Sequence, residues 1–191
     1  MGLRENIARV RNQLDEAARA AGRDPGEITL LAATKTQSGE TIRAAVRAGI
    51  TVCGENRVQE LTAHLAEGAY EGAAVHFIGH LQTNKVKDVV GRVALIHSIS
   101  SDKLLRAVAA QADRLGLVQD ILLEINLAGE ESKSGFSPGQ ALDAARLAAS
   151  LGGVRLRGLM CIPPRAVLPG DNLPYFQKLC RLAVDITREM L

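Results

Sequence analysis

Short apolar runs and stretches of helical hydrophobic spacing alternate along the whole chain. Six apolar runs have the length of a strand and are bounded by turn residues, and we predict strands at 28–35, 50–54, 75–78, 93–99, 118–126 and 154–160. Apolar residues three and four positions apart precede the first run and follow every run, which predicts an N-terminal helix up to Gly22 and a helix after each strand. The last helix is predicted to begin near Pro174.

This alternation favours a parallel α/β fold, and the lack of a G-x-G-x-x-G motif after the first strand argues against a dinucleotide-binding sheet. We predict a (β/α)8 TIM-type barrel with an extra N-terminal helix. A closed barrel of this kind has eight strands in about 200 or more residues. Six strand–helix units are visible, and the helical pattern at Leu191 has no C-cap. We therefore expect one barrel domain over residues 1–191, truncated at its C-terminus, with an open six-stranded sheet as the structural alternative.

The composition is that of a globular protein with a sizeable core, because 47% of the residues are hydrophobic and 23% are charged. The net charge of +2 is spread over interspersed acids and bases, and only 3% of the residues are aromatic, so neither nucleic acid nor an anionic membrane is an expected partner. No signal peptide or long apolar span is present, and the three cysteines form no C-x-x-C motif. We expect free thiols in a reducing cytoplasm and no metal site, since the four histidines also lack metal-ligand spacing.

One lysine closes the first apolar run and is the first candidate for chemistry. The run ends at Lys35, and Ser38 and Gly39 then lead into a helical pattern. Because a run that is apolar on both faces is typical of a strand buried in a parallel sheet, we expect Lys35 to lie half in the core. Partial burial favours the free amine, the nucleophile that forms a Schiff base with an aldehyde or ketone. A lysine that only marks a strand end and reaches water is the structural alternative.

Other polar residues follow the predicted strands, at the edge where the active sites of (β/α) barrels lie. The candidates are Glu55 and Asn56, His80 with Gln82, Thr83, Asn84 and Lys85, Ser98 and Ser100, Glu124 and Asn126, and Met160. Two explanations of Asn56 are equally good. Asn56 either caps the next helix in a capping box with Gln59, three residues later, or contacts a ligand. His80 either faces the site or stands in a loop, and Lys133 lies in a long polar loop, 126–137, that is either a lid or simply solvated.

Several segments are long enough to indicate a family. In chain order they are Ala33-Thr34-Lys35-Thr36, Gly54-Glu55-Asn56-Arg57-Val58-Gln59-Glu60, His76-Phe77-Ile78-Gly79-His80-Leu81-Gln82-Thr83-Asn84-Lys85, Ser132-Lys133-Ser134-Gly135 and Gly158-Leu159-Met160. Together they resemble the pyridoxal phosphate homeostasis protein family over nearly the whole chain. The resemblance implies a (β/α)8 barrel related to the N-terminal domain of alanine racemase.

The same resemblance implies a cofactor and its contacts. Pyridoxal 5′-phosphate would be held as an internal aldimine on Lys35, with Asn56, His80 and Met160 lining its pocket and Lys133 near its entrance. In the family, the main phosphate-binding groups come from segments after the seventh and eighth strands, and the sequence up to Leu191 contains neither segment. This departure agrees with the six predicted strands.

Three functions fit a lysine that forms a Schiff base. The resemblance favours a monomeric cofactor-binding protein of intracellular vitamin B6 homeostasis, which would turn over no substrate, limit the free aldehyde and pass the cofactor to apo-enzymes. A pyridoxal-phosphate-dependent amino-acid racemase is the alternative. In alanine racemases, however, the second base is a tyrosine from an additional domain, and Tyr70 and Tyr175 do not lie at predicted strand ends. The third is a Schiff-base aldolase that would act on a sugar phosphate through Lys35.

Overall fold

The computed structural model describes residues 2–130 and 134–191, and the predicted alternation of strands and helices is present in them. The strands are β1 (Leu31–Ala33), β2 (Val52–Glu55), β3 (Ala74–Phe77), β4 (Leu95–Ile99), β5 (Gln119–Glu124) and β6 (Val154–Met160). The α-helices are α1 (Leu3–Ala20), α2 (Gly39–Arg47), α3 (Val58–Ala66), α4 (Asp102–Leu115), α5 (Ala141–Ser150) and α6 (Leu173–Met190). Short 3₁₀ helices form at Pro25–Glu27, Thr83–Asp88 and Pro138–Gln140.

The sheet follows the order of the chain, because its strands are arranged β1-β2-β3-β4-β5-β6. The β1–β2, β4–β5 and β5–β6 pairs are parallel. Parallel neighbours joined by a crossover that contains a helix are the repeating unit of a TIM-type barrel, so the predicted fold class is confirmed for six units. Among the described residues the strand order runs from β1 to β6 without closing on itself, so the six strands form an open sheet.

The chain divides into two compact units, residues 1–76 and 77–191. In the first unit, α1 ends at Ala20 and Gly22 follows with a left-handed φ of +69°, which confirms the predicted glycine stop. Helix α2 begins after Ser38, whose Oγ accepts the Thr41 N–H at 3.2 Å. The core of this unit includes side chains that are at most 1% exposed, namely Ile42, Cys53 and Leu61.

In the second unit, strand β5 supplies one face of the core. Its residues alternate between buried and half-buried positions, and buried Ile121 and Leu123 point to the same face. Helices α4 and α5 both contact β5 and β6, and α5 presents small side chains that let it approach closely: Ala141, Ala144, Ala145 and Ala148. Burial of a leucine or isoleucine side chain contributes roughly 1.5–3 kcal/mol, so Ile121 and Leu123 each stabilise this unit.

Three local predictions were wrong. The first strand is short, because Pro25–Glu27 forms a 3₁₀ helix and only Leu31–Ala33 pairs with β2. The helix predicted after β3 is the 3₁₀ helix Thr83–Asp88. Asn56 does not cap α3, since the N-cap position is Arg57 and no side chain caps it by a hydrogen bond.

Among the described helices, none has the length and apolarity needed to cross a membrane.

Candidate functional site

Lys35 lies in a tight turn that follows β1. The Thr34 carbonyl accepts the Gln37 N–H at 3.0 Å, so Lys35 and Thr36 are the two central residues of a β-turn. The Lys35 side chain is exposed, and the expectation that it lies half in the core was wrong. The strand ends at Ala33, so Lys35 lies outside it, in a turn whose residues 35–38 are all exposed, and β1 is itself only half-buried. The amine is therefore accessible to a ligand from solution.

A buried carboxylate anchors the residue before Lys35. Glu55, at the end of β2, is fully buried, and its Oε1 accepts hydrogen bonds from Thr34 Oγ1 at 2.6 Å and from the Tyr70 hydroxyl at 2.7 Å. His64 Nδ1 lies 3.0 Å from the same oxygen. Because Thr34 also donates its N–H to the Gly54 carbonyl at 2.9 Å, the chain entering the turn is held by both its backbone and its side chain.

This carboxylate also changes the acidity of its neighbours. Burial, and then the hydrogen bond to Glu55, raise the pKa of the Tyr70 hydroxyl far above its usual value. Burial together with the charge of Glu55 raises the pKa of Cys53 to about 11. Both groups are therefore protonated at neutral pH, and Tyr70 serves as a hydrogen-bond donor to Glu55.

Asn56 follows β2, the strand that pairs with β1. The last residue pair of the two strands is Ala33 with Gly54, and Lys35 and Asn56 each stand two positions beyond it. The Asn56 Oδ1 atom is buried and has no hydrogen-bond partner among the described residues. Buried polar atoms are rarely left unpaired, so this oxygen is a natural contact for a polar ligand group. The sequence alternative of helix capping is excluded by the start of α3 at Val58.

In the second unit, His80 follows β3 and its side chain is exposed. Its Nδ1 lies 3.2 Å from Ser134 Oγ, which belongs to the loop after β5. Burial raises the pKa of the Glu124 carboxyl at the end of β5, and the nearby His80 acts in the opposite direction. The strand ends of this unit therefore bring together an imidazole, a hydroxyl and a carboxyl whose pKa is raised by burial.

Met160 is adjacent to the same group of residues because its strand, β6, pairs with β5. It is paired with Glu124 across β5 and β6, and its carbonyl accepts the Ile125 N–H at 2.8 Å. A cavity of about 220 Å³ opens at this end of the two strands and is lined by Glu124, Ile125, Asn126, Ser134 and Ile162. Met160 is not among the residues that line this cavity, although it is half-buried and pairs with Glu124, which is.

The sequence named Glu124 only as one of several polar strand ends, and it did not select Ser134. The signal for Ser134 was its place in the Ser132-Lys133-Ser134-Gly135 segment after β5. Lys133, which the resemblance placed near the cofactor entrance, lies outside the described residues. Across 2–130 and 134–191, the structure contains no group of three or more histidine, cysteine, aspartate or glutamate side chains that could hold a metal ion.

Comparison with known proteins points to one family. Residues 3–189 match the sequence model described as alanine racemase, N-terminal domain. A pyridoxal phosphate homeostasis protein of Aquifex aeolicus is 40% identical over 97% of this chain and 81% of its own length. A protein of the same name from Escherichia coli K12 is 38% identical over 83% of this chain and 69% of its own length.

Solved structures show the same fold. A protein of unknown function from Bifidobacterium adolescentis is 35% identical with a TM-score of 0.88, and the match covers 94% of this chain and 77% of that one. PipY of Synechococcus elongatus PCC7942, solved with PLP bound, is 27% identical with a TM-score of 0.83 over 98% of this chain and 83% of its own. An alanine racemase of Clostridium difficile is only 13% identical at a TM-score of 0.78, which shows likeness of fold alone.

Proposed function

Because the chain belongs to the pyridoxal phosphate homeostasis protein family, built on the alanine racemase N-terminal fold, we propose that it binds pyridoxal 5′-phosphate (PLP). The bond would be a Schiff base on Lys35, and the protein would take part in vitamin B6 homeostasis without turning over a substrate. The observation that supports this most directly is the exposed Lys35 in the turn after β1, together with the buried, unpaired Oδ1 of Asn56 just after the neighbouring strand β2.

The residues of the first unit fit such a ligand. The Lys35 amine would attack an aldehyde carbon and form a C=N bond with loss of one water, a reaction that requires the neutral amine and access from solution. Asn56 would contact a polar group of the ligand through its buried Oδ1, which has no partner in the described part of the chain. These two side chains match the positions that the resemblance assigns to the cofactor.

Within the second unit, the two residues that the resemblance assigns to the cofactor, His80 and Met160, lie after β3 and at the end of β6, near the Glu124 carboxyl whose pKa burial raises. His80 would offer a ring nitrogen for hydrogen bonding or stacking, and Met160 an adaptable apolar surface. The cofactor itself supplies an electron-withdrawing ring, and the protein supplies binding and orientation.

The lack of turnover is supported by the placement of the tyrosines. Tyr70 is 5% exposed and its hydroxyl is bound to Glu55, so it is committed to a buried network. Tyr175 lies in the first turn of α6 and does not follow a strand. We propose accordingly that the protein is a cytoplasmic, monomeric carrier whose partners are PLP and apo forms of PLP-dependent enzymes.

The proposal is tested by trapping the cofactor. Purified protein is incubated with PLP, reduced with borohydride and analysed by intact mass and peptide mapping. We expect one pyridoxyl adduct on Lys35, its loss together with the visible chromophore in Lys35→Ala, and its retention in Lys103→Ala, where an exposed lysine of α4 is removed. Truncation of an exposed side chain leaves the fold intact. An adduct that persists in Lys35→Ala would assign the cofactor to another lysine, with Lys133 the first to examine.

The carrier role is separated from racemisation by a second assay. Each enantiomer of alanine and of other amino acids is incubated with PLP-loaded protein, and the opposite enantiomer is measured over time. We expect no interconversion above the rate of free PLP. Sustained turnover that disappears in Lys35→Ala would replace the carrier function by the racemase function.

A further inference from the structure

The turn that carries Lys35 adopts a strained conformation. Thr36, the residue after Lys35, has a φ of +63°, and no other non-glycine residue in the described ranges has a positive φ. Within a β-turn, a positive φ at the third position is normally taken by glycine or asparagine. A β-branched residue is disfavoured there because its Cβ crowds the backbone, so something outside the turn must hold Thr36 in place.

The turn cannot relax through its preceding residue. Thr34 is 4% exposed, and its hydroxyl and N–H are both engaged, with Glu55 and with the Gly54 carbonyl. Its own carbonyl closes the turn by accepting the Gln37 N–H. The N-terminal side of the turn is thus fixed to β2, and the remaining freedom lies at Lys35 and Thr36.

A second carboxylate holds the other side. The Thr36 N–H donates to Glu60 Oε2 at 3.0 Å. Glu60 stands in the first turn of α3, where the helix dipole favours a negative charge, and its Oε1 lies 3.3 Å from Arg57 Nη1. A helix fixes the position of this carboxylate more firmly than a loop would. Glu60 therefore presents a charged acceptor to the one backbone N–H that the strained residue offers.

We propose that Glu60 is a positioning residue for Lys35. It holds Thr36 in the left-handed conformation and thereby fixes the backbone from which the Lys35 amine projects. This inference rests on the proposed function of Lys35 as the PLP-binding lysine. Glu60 does not contact the ligand in this role, and its effect on the amine passes through the Thr36 backbone.

The test is the rate at which PLP forms the Schiff base on Lys35, followed by the absorbance of the imine and by borohydride trapping. In Glu60→Ala we expect a rate about tenfold lower, the scale of one charge-assisted hydrogen bond. Glu60→Gln keeps an oxygen acceptor for the Thr36 N–H and should recover the rate to within about threefold of the wild type. Arg57→Ala is the matched control, because it removes the other partner of Glu60. Its rate of Schiff-base formation should stay within about twofold of the wild-type rate.

A glycine at position 36 distinguishes this mechanism from a general loss of stability. Glycine takes a positive φ without strain, so the turn no longer needs the restraint. In the Thr36→Gly background, we expect Glu60→Ala to change the rate of Schiff-base formation by less than about twofold. A full tenfold loss in the Thr36→Gly background, or no loss in Glu60→Ala alone, would overturn the proposal.

Hydrogen exchange separates failure of this inference from failure of the proposed function. If the wild-type protein forms no adduct on Lys35, the proposed function is wrong, and the exchange rate of the Thr36 amide, measured by NMR, alone decides the role of Glu60. Exchange about tenfold faster in Glu60→Ala but not in Arg57→Ala supports the restraint of the turn. Equal exchange in all three proteins overturns it.

Discussion

Glu55 is fully buried, yet two hydroxyl groups donate to its Oε1 and an imidazole nitrogen lies within hydrogen-bond distance of that oxygen. A carboxylate taken out of water is costly unless such partners compensate for its lost hydration. The compensation joins Thr34, His64 and Tyr70 to the end of β2. The residue before Lys35 is consequently held by a network that leaves the Lys35 side chain itself exposed.

Glu124, at the end of β5, is a half-buried carboxyl whose acidity is set mainly by its burial. Burial raises its pKa from the ordinary value of 4.5, so the folded state binds its proton more tightly than the unfolded state does. The associated stability is fully present below pH 4.5 and is lost as the pH rises through the folded-state pKa. We expect Glu124→Gln, which stays neutral, to be more stable than the wild type at pH 7.5 and to lose this advantage at pH 4. Urea unfolding at constant ionic strength measures the difference.

Glu71→Gln is the control for Glu124→Gln, since it removes the same charge from an exposed position. Its stability should follow the wild type at both pH values within about 0.5 kcal/mol. If Glu124→Gln shows the same pH profile as the wild type, the carboxyl of Glu124 is not destabilised by burial.

At the scale of elements, the sequence predicted the helices and strands whose ends are marked by neighbouring residues such as glycine and proline. The bounds 154–160 for β6 were confirmed, because a strand-length segment in which apolar residues alternate with Arg155 and Arg157 lies between a Gly-Gly pair and a Pro-Pro pair. Helix α4 ends at Leu115, and the left-handed Gly116 that follows is the same kind of glycine stop that was predicted for the N-terminal helix at Gly22. The helix expected around Val86, Val89 and Val90 was wrong, since hydrophobic spacing does not distinguish an α-helix from a 3₁₀ segment.

The glycine that ends α4 gives a test at this scale. Gly116 has a φ of +66°, and a Cβ added there would meet no atom within 4 Å, so the cost of a side chain is purely conformational. We expect Gly116→Ala to lower the free energy of unfolding by about 1–2 kcal/mol. The measurement is the shift of the urea midpoint at an unchanged slope.

Gly139 is a matched position for comparison, because an added Cβ would also meet nothing within 4 Å, while its φ is not positive. Gly139→Ala should leave the stability within about 0.5 kcal/mol or raise it slightly, through the reduced entropy of the unfolded chain. Equal losses in the two variants would show that the left-handed cap is not the cause.

At the scale of the whole molecule, the sequence motifs were enough to identify the candidate site residues, whereas the exposure and hydrogen bonds of those residues depend on the fold. The segments around Lys35, Asn56, His80 and Met160 indicated the family from the sequence alone, and the family and fold class were confirmed. The exposure of Lys35 was not predictable, because the apolar run continues to Ala33-Thr34 without a signal that the strand ends at Ala33 and that Lys35 enters a turn. The restraint by Glu60 was also hidden, since it depends on a positive φ at Thr36 that no propensity of threonine suggests.

Binding of PLP to the folded state must stabilise the whole molecule by mass action. At a ligand concentration one hundred times the Kd, the free energy of unfolding rises by about 2.7 kcal/mol if only the folded state binds. We expect this rise for the wild type and for Lys103→Ala, and its loss in Lys35→Ala, with unfolding followed by urea titration. Pyridoxine 5′-phosphate, which has the phosphate but no aldehyde, measures the part that does not need the Lys35 amine. If PLP stabilises Lys35→Ala as much as the wild type, binding does not depend on the Schiff base, and the role assigned to Lys35 is wrong.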